Sequence, residues 1–265
     1  MQFSPCNHTF AICCYQESPF LEECIQSVRE QDMLGKIIMT TGTPNSYIAS
    51  VAKKHQIPLY INPNGGEISK DWNFAIEKAE TELVTLAHQD DIYEKNFLKK
   101  VLFNCNKVQK PLIVFTDYGE LRENVVVTEN KLLKMKRVML TPLRIPVLWN
   151  SRFIRRRILA FGSAICCPSV TYIKPNLPEK LFESGYRSDL DWQTWEKISK
   201  IKGAFIYCNN TLMYHRIHKN SATTAIIIEN DRTKEDLEMF CKFWPVWVAK
   251  IIEKFYGNAE KSNEL

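Results

Sequence analysis

An α/β fold follows from three features of this 265-residue chain. Short apolar runs of strand character recur between segments whose apolar residues fall at helical spacing. Ser-Pro and Thr-Pro helix starts, at Ser18-Pro19 and Thr43-Pro44, follow two of those runs. The turn Pro63-Asn64-Gly65-Gly66 separates a third run from its helix. Strands joined by helices of this length pair in parallel through right-handed crossovers.

The elements follow in order. Phe10 to Cys14 is a continuous apolar strand, and Ser18-Pro19 is expected to open a helix carrying Leu21, Cys24, Ile25 and Val28 on one face. Lys36 to Met39 is a second strand, with the Thr43-Pro44 helix reaching about Lys54. Ile57 to Ile61 is a third strand, and Ile68 to Ala79 a third helix. Leu83 to Leu86 is the fourth strand, Lys95 to Asn106 a helix, and Pro111 to Thr116 a fifth strand. Beyond Asp117 the alternation breaks down. A basic segment leads to a loop over Phe161 to Val170, a helix over 191–200 and a short strand at Ala204 to Tyr207. Glu235 to Phe255 is amphipathic and rich in aromatics, so it is expected to pack on the sheet rather than meet a membrane. Gly257 to Leu265 reads as a frayed tail.

The chain is long enough for one large domain. It shows neither a secretory leader nor a run of eighteen apolar residues. The nine cysteines form no C-x-x-C pair, which argues against zinc knuckles and thioredoxin-like chemistry and for reduced core thiols in the cytoplasm. Net charge is +5, yet Lys131 to Arg157 holds nine Lys or Arg and no acid. A solvated loop is one reading; apolar residues between the charges also suit an anionic membrane surface or a phosphorylated acceptor. No RNP-like, helix-turn-helix or KH pattern supports nucleic acid.

Three motifs carry chemistry. Leu86-Ala87-His88-Gln89-Asp90-Asp91 places two carboxylates behind a strand end, where α/β sheets bind ligands. Such oxygens suit Mg²⁺ or Mn²⁺ on a diphosphate, or simply cap the next helix. Asp191, with Asp189 just before it, opens a helix as either a cap or a general base. Tyr214 to Thr223 joins basic side chains to hydroxyls, as a diphosphate grip or an ordinary loop. Dinucleotide, P-loop and serine-hydrolase signatures are absent.

Taken in order, these features resemble family 2 glycosyltransferases with the GT-A fold, from about Thr9 to Thr224. Cys14-Tyr15-Gln16-Glu17-Ser18 matches the family's opening dipeptide and helix, and Asn64-Gly65-Gly66 its Asn-Gly-Gly turn. Asp71-Trp72-Asn73 looks like its Ala-Arg-Asn, and His88-Gln89-Asp90-Asp91 like its Asp-Ala-Asp-Asp. Leu190 to Trp195 and Arg216-Ile217-His218 match its two downstream motifs. The resemblance implies a single domain with a mostly parallel sheet flanked by helices, over 1–224, and a helical extension over 225–265. Its nucleotide-sugar half is about 1–117 and its acceptor half about 118–224. It implies an inverting transfer from a nucleotide-diphosphate sugar to a saccharide or lipid-linked saccharide, as in bacterial surface-polysaccharide synthesis. Asp191 would be the base, with Asp189 as its alternative. Asp90 and His218, and more weakly Asp91, would hold the divalent cation. Tyr15, Glu17, Thr40, Thr41, Gly42, Lys70, Asp71, Asn73, His88, Gln89 and Arg216 would face the donor.

Two departures stand out: Thr40-Thr41 replaces an acidic pair, and His88 replaces the first acid of the metal motif. They favour the alternative of a non-catalytic carbohydrate- or partner-binding module, against which Asp90 and Asp191 count. A sugar nucleotidyltransferase would carry a Gly-rich basic loop where Tyr15 to Pro19 stands. The acceptor side, Lys131 to Arg157 with Phe161 to Ser169, is expected on the inner face of the plasma membrane.

Overall fold

The computed structural model describes residues 2–218 and 231–261. The apolar runs form a parallel core in which β1 (His8–Cys14) lies between β2 (Lys36–Thr41) and β4 (Leu83–His88), with β3 (Leu59–Ile61) outside β2. Phe10, Ala11 and Ile12 are wholly buried, as a strand covered on both faces requires. The crossovers are α1 (Leu21–Arg29), α2 (Ser46–Lys54) and α3 (Ile68–Lys78), and α1 buries Leu21, Cys24, Ile25 and Val28 as their spacing predicts.

Two helices start later than the proline signals suggest. α1 begins at Leu21, with Phe20 at the cap position and the Ser18 hydroxyl accepting from the Phe20 N–H at 3.3 Å. Asn45 caps α2, its side chain accepting from Ile48 N–H at 2.8 Å. The Thr43 hydroxyl instead accepts from the Gln16 N–H at 2.8 Å, which ties the loop after β1 to the loop after β2.

The alternation then changes character. β6 (Pro111–Arg122) is separated from β4 by the antiparallel β8 (Val170–Ile173), and β9 (Ala204–Ile217) runs parallel beside β6. Both β6 and β9 extend well past the short strands expected at 111–116 and 204–207. β5 (Ile92–Tyr93) and β7 (Val125–Val127) are antiparallel edges, and α4 (Phe97–Cys105) packs beneath β6 and β9. Thus β1, β2, β3, β4, β6 and β9 share one direction.

The basic segment is not a solvated loop. It forms α5 (Lys131–Leu140) and α6 (Arg152–Leu159), and several of its charges turn inward. Arg155 is buried and donates to Ser199 O at 2.8 Å, Gly203 O at 2.5 Å and Ile201 O, closing the C-terminal end of α7 (Leu190–Ser199). Arg137 pairs with Asp117 at 2.5 Å and Arg156 with Glu196 at 2.8 Å.

The C-terminal amphipathic stretch is two helices, α8 (Asp231–Cys241) and α9 (Val246–Lys261), broken at Pro245. They pack on α6 and α7 rather than on the sheet. Phe240 meets Trp192 edge-on at 5.0 Å, and Trp244 Nε1 donates to Ala160 O at 2.7 Å. α9 continues through Lys261, into the expected tail. Trp247 and Ile251, expected in the packed stripe, are exposed. All nine cysteines are unpaired, and Cys6 and Cys241 are the exposed ones. No helix among the described residues is long and apolar enough to cross a membrane.

His8 sits wholly buried at the start of β1, its Nε2 2.8 Å from the Thr85 hydroxyl, and burial lowers its pKa from 6.5 to about 3. Between those values the unfolded chain binds the proton and the folded one does not, so stability falls as pH drops below 6.5. Relative to His8→Gln, the native protein is expected to lose about 2 kcal/mol between pH 7.5 and 5. Urea denaturation of both proteins at the two pH values checks this; parallel losses would refute it.

Candidate active site

The site forms because β5 follows the acidic motif immediately. Ile92 pairs with Tyr214 and Tyr93 with Met213, so the antiparallel register lays residues 90–91 against 215–216. The segment from Tyr214 onward is therefore the end of a long strand. Its continuation, Lys219 to Thr223 of the expected diphosphate grip, lies outside the described residues.

Within this junction the two aspartates divide. Asp90 Oδ2 lies 2.9 Å from His218 Nε2. Burial pushes the Asp90 carboxyl up, but the His218 hydrogen bond and the charges of His215, His88 and His218 outweigh it, and the group lies below its usual value. Asp91 is wholly buried; its Oδ1 accepts from the Arg216 N–H at 2.9 Å and meets His215 Nδ1 at 3.0 Å. Through Oδ1 it braces β9. His215 is lowered by burial but raised more strongly by Asp91, to about 9, and so carries charge.

Arg216, expected at the donor, is buried and engaged inside the protein. Its Nε donates to Asp90 O at 2.9 Å, Nη1 to Asn124 Oδ1 at 3.3 Å, and Nη2 pairs with Glu23, with the guanidinium 4.2 Å above the Phe20 ring. His88 stacks on Trp72 with centroids 5.1 Å apart, and burial lowers its pKa against the pull of Asp91 and Asp90. Gln89 pairs with the Tyr15 backbone twice, accepting from its N–H at 3.0 Å and donating to its carbonyl at 2.8 Å. That pair joins the loops after β1 and β4.

Other residues expected at the donor hold the loops. Asp71 Oδ1 accepts from Asn62 Nδ2 at 2.7 Å, and a Cβ on Gly42 would lie 2.4 Å from that same Asp71 oxygen. A side chain at this position would push the Asp71 carboxylate from its place. Asn73 accepts from Leu181 N–H at 3.0 Å and Phe182 N–H at 3.1 Å, and donates to Phe182 O at 2.8 Å, pinning α3 to that loop. Lys70 pairs with Glu67 at 3.0 Å on the surface. Thr40 and Thr41 are buried, and the Thr41 hydroxyl accepts from Thr43 N–H at 3.0 Å. Tyr15 and Glu17 are exposed beside them.

The second acidic cluster enters α7. Asp189 is at the cap and buried; Asp191 is half-buried in the first turn, its Oδ1 accepting from Trp192 N–H at 2.5 Å. Glu235 of α8 fixes this entry by accepting from the N–H groups of Arg187, Ser188 and Asp189 at 2.9, 2.8 and 2.9 Å. The two clusters share one neighbourhood: Cys166, its thiol pushed well up by burial, also feels both Asp91 and Asp191. Lys136 Nζ donates to the Tyr118 hydroxyl at 3.0 Å, and the Lys136 charge couples to both Asp191 and His215.

A family model described as glycosyl transferase family 2 matches residues 9–182. The chain belongs to this family. No curated protein sequence matches it. Among solved structures, S. aureus TarS 1-349 in complex with UDP-GlcNAc superposes with a TM-score of 0.63 at 14% identity, over 97% of this chain and 73% of that one. The mannosyltransferase PcManGT from Pyrobaculum calidifontis, in complex with GDP-Man and Mn2+, gives a TM-score of 0.63 at 15% identity, over 99% and 77%. At those identities the likeness establishes the fold, which is GT-A. As a family 2 glycosyltransferase the protein transfers sugar from a nucleotide sugar.

A divalent cation on this glycosyltransferase would draw on Asp90 and His218. Asp90 Oδ2 and His218 Nε2, hydrogen-bonded at 2.9 Å, are one oxygen and one nitrogen donor that could hold such a cation together once the shared proton is displaced. Among the described residues no three His, Cys, Asp or Glu side chains converge on a metal position, so phosphate oxygens and water would complete the sphere.

The sequence marks His215, Lys136, Cys166 and Glu235 only as members of longer segments, and their individual contacts emerge in the fold. His215 was within reach, because strand alternation sets it on the face opposite Arg216. The others reach the site only through contacts far along the chain.

Proposed function

We propose that the protein is an inverting, metal-assisted glycosyltransferase that moves a sugar from a nucleoside-diphosphate donor to a saccharide hydroxyl, including one on a lipid-linked acceptor. The observation that carries this reading is the pairing of Asp90 with His218 at 2.9 Å at the end of β9, together with a separate carboxylate, Asp191, on the entry of α7. Asp90 and His218 would hold the cation, which when bound neutralises the leaving diphosphate. Asp191 takes the proton from the acceptor hydroxyl, and one base acting opposite the leaving group gives inversion by direct displacement. His215 keeps Asp91 in place through their charged pair. The 1–224 catalytic unit and 225–265 extension remain part of this proposal.

Thermal-shift titrations with UDP, GDP, CDP and dTDP, each with Mn²⁺, Mg²⁺ or chelator, test it. One nucleotide is expected to raise the melting temperature only with the cation, because binding to the native state stabilises it by mass action. No shift with any nucleotide would leave the binding-module reading standing instead. Asp90→Ala is expected to weaken that nucleotide in Mn²⁺ more than about tenfold while sparing its weak metal-free binding. Calorimetric titration reads this, and equal affinity in both proteins would remove Asp90 as a ligand.

A further inference from the structure

We propose that the outer face of α9 lies on an anionic lipid surface. That face is a regular stripe of Val246, Trp247, Lys250, Ile251, Lys254 and Phe255, all exposed. The large apolar members are strongly so: Trp247 at 69% and Phe255 at 72%. Trp247, Ile251 and Phe255 recur every four residues, so they line one side, and Lys250 and Lys254 run beside them. The opposite side is seated in the protein, with Ala249 fully buried and Tyr256 against Phe240 and Trp192.

The exposure does not stop at α9. Phe153 and Phe161 are exposed on and after α6, and Arg157 lies over both Phe153 and Trp244, at 5.6 and 5.2 Å. The Trp244 ring lies tilted against Phe161, with centroids 5.5 Å apart. Folded monomers rarely leave so much aromatic surface in water.

The chemistry selects lipid as the occupant. A second copy related by a twofold axis would set this lysine row near its own counterpart, and lysine is depleted from the centres of protein interfaces. Aromatic rings beside lysines suit the headgroup boundary, where the rings enter the acyl edge and the ammonium groups reach outward to phosphates. The helix would lie in the surface plane, since none among the described residues is long and apolar enough to cross it. This places membrane contact on α9 and α6, whereas much of the basic segment around α5 is internally paired.

Flotation of the full chain with vesicles tests this independently of catalysis. Binding is expected to phosphatidylcholine vesicles containing phosphatidylglycerol, not to phosphatidylcholine alone, and is expected to fall with salt. The variant Trp247→Ser/Ile251→Ser/Phe255→Ser and, separately, Lys250→Glu/Lys254→Glu should each lower partitioning about tenfold. Melting temperature should hold in both, because the changed side chains are exposed. Failure to float, equal binding to both vesicle types, or wild-type binding by both variants would overturn the proposal. So would a sedimentation mass showing a dimer that the serine variant abolishes, which would assign the face to a second copy.

Discussion

Asp191→Asn should lower sugar transfer by about 10²–10⁴-fold, the range that removing a general base costs. Asparagine keeps the shape, and its side-chain oxygen still accepts from the Trp192 N–H that Asp191 engages at 2.5 Å. The first turn of α7 loses a favourable negative charge, a cost of about 0.3–1 kcal/mol, so the variant folds. Cation-dependent nucleotide binding should be unchanged, since Asp90 and His218 are untouched. Initial rates together with a thermal-shift curve separate these effects. Unchanged transfer would rule Asp191 out as the base and direct the same test to Asp189.

Arg155→Met should be the most destabilising single change outside the site. Arg155 bonds three carbonyls, Ser199, Ile201 and Gly203, where α7 ends and the chain turns into β9. Its guanidinium also lies 4.7 Å over the Phe205 ring. Methionine fills similar volume but leaves three acceptors without a donor in a buried place. Each unsatisfied group costs about 1–3 kcal/mol, for a total of about 4 kcal/mol after partial relaxation. In a chain of this size that lowers the melting temperature by about 10 °C. Arg155→Lys should rescue less than half, because one ammonium cannot reproduce the planar fork. A loss below about 1 kcal/mol for Arg155→Met by urea denaturation would contradict this account.

How far the sequence reveals the molecule depends on the range of each interaction. β1, β2 and β4 are read from short continuous apolar runs because both faces of these strands are covered, and the buried face of α1 from apolar residues three and four apart. The acidic pairs at Asp90 and Asp191 are equally visible, since helix entries and strand ends carry local composition. By contrast, β8 inserts between β4 and β6 from far along the chain, so the fifth strand does not sit beside the fourth. Arg216 looks like a phosphate grip by composition, yet its hydrogen bonds reach Asp90 and Asn124. Asn73 and Asp71 likewise read as ligand contacts because polar residues near a turn look alike whether they bind backbone or substrate. Exposed lysines look much the same in sequence as Arg155, whose burial follows from the carbonyls left at the end of α7.

The carboxylate of Glu235 lends the C-terminal helices a use apart from packing. It occupies the three N–H groups ahead of α7 from 46 positions beyond Asp189. A chain cut before α8 would keep every described strand and release those three donors. The extension thus works as a clasp: the geometry of the α7 entry, with Asp189 and Asp191 on it, is set by an acid supplied from the far end of the chain.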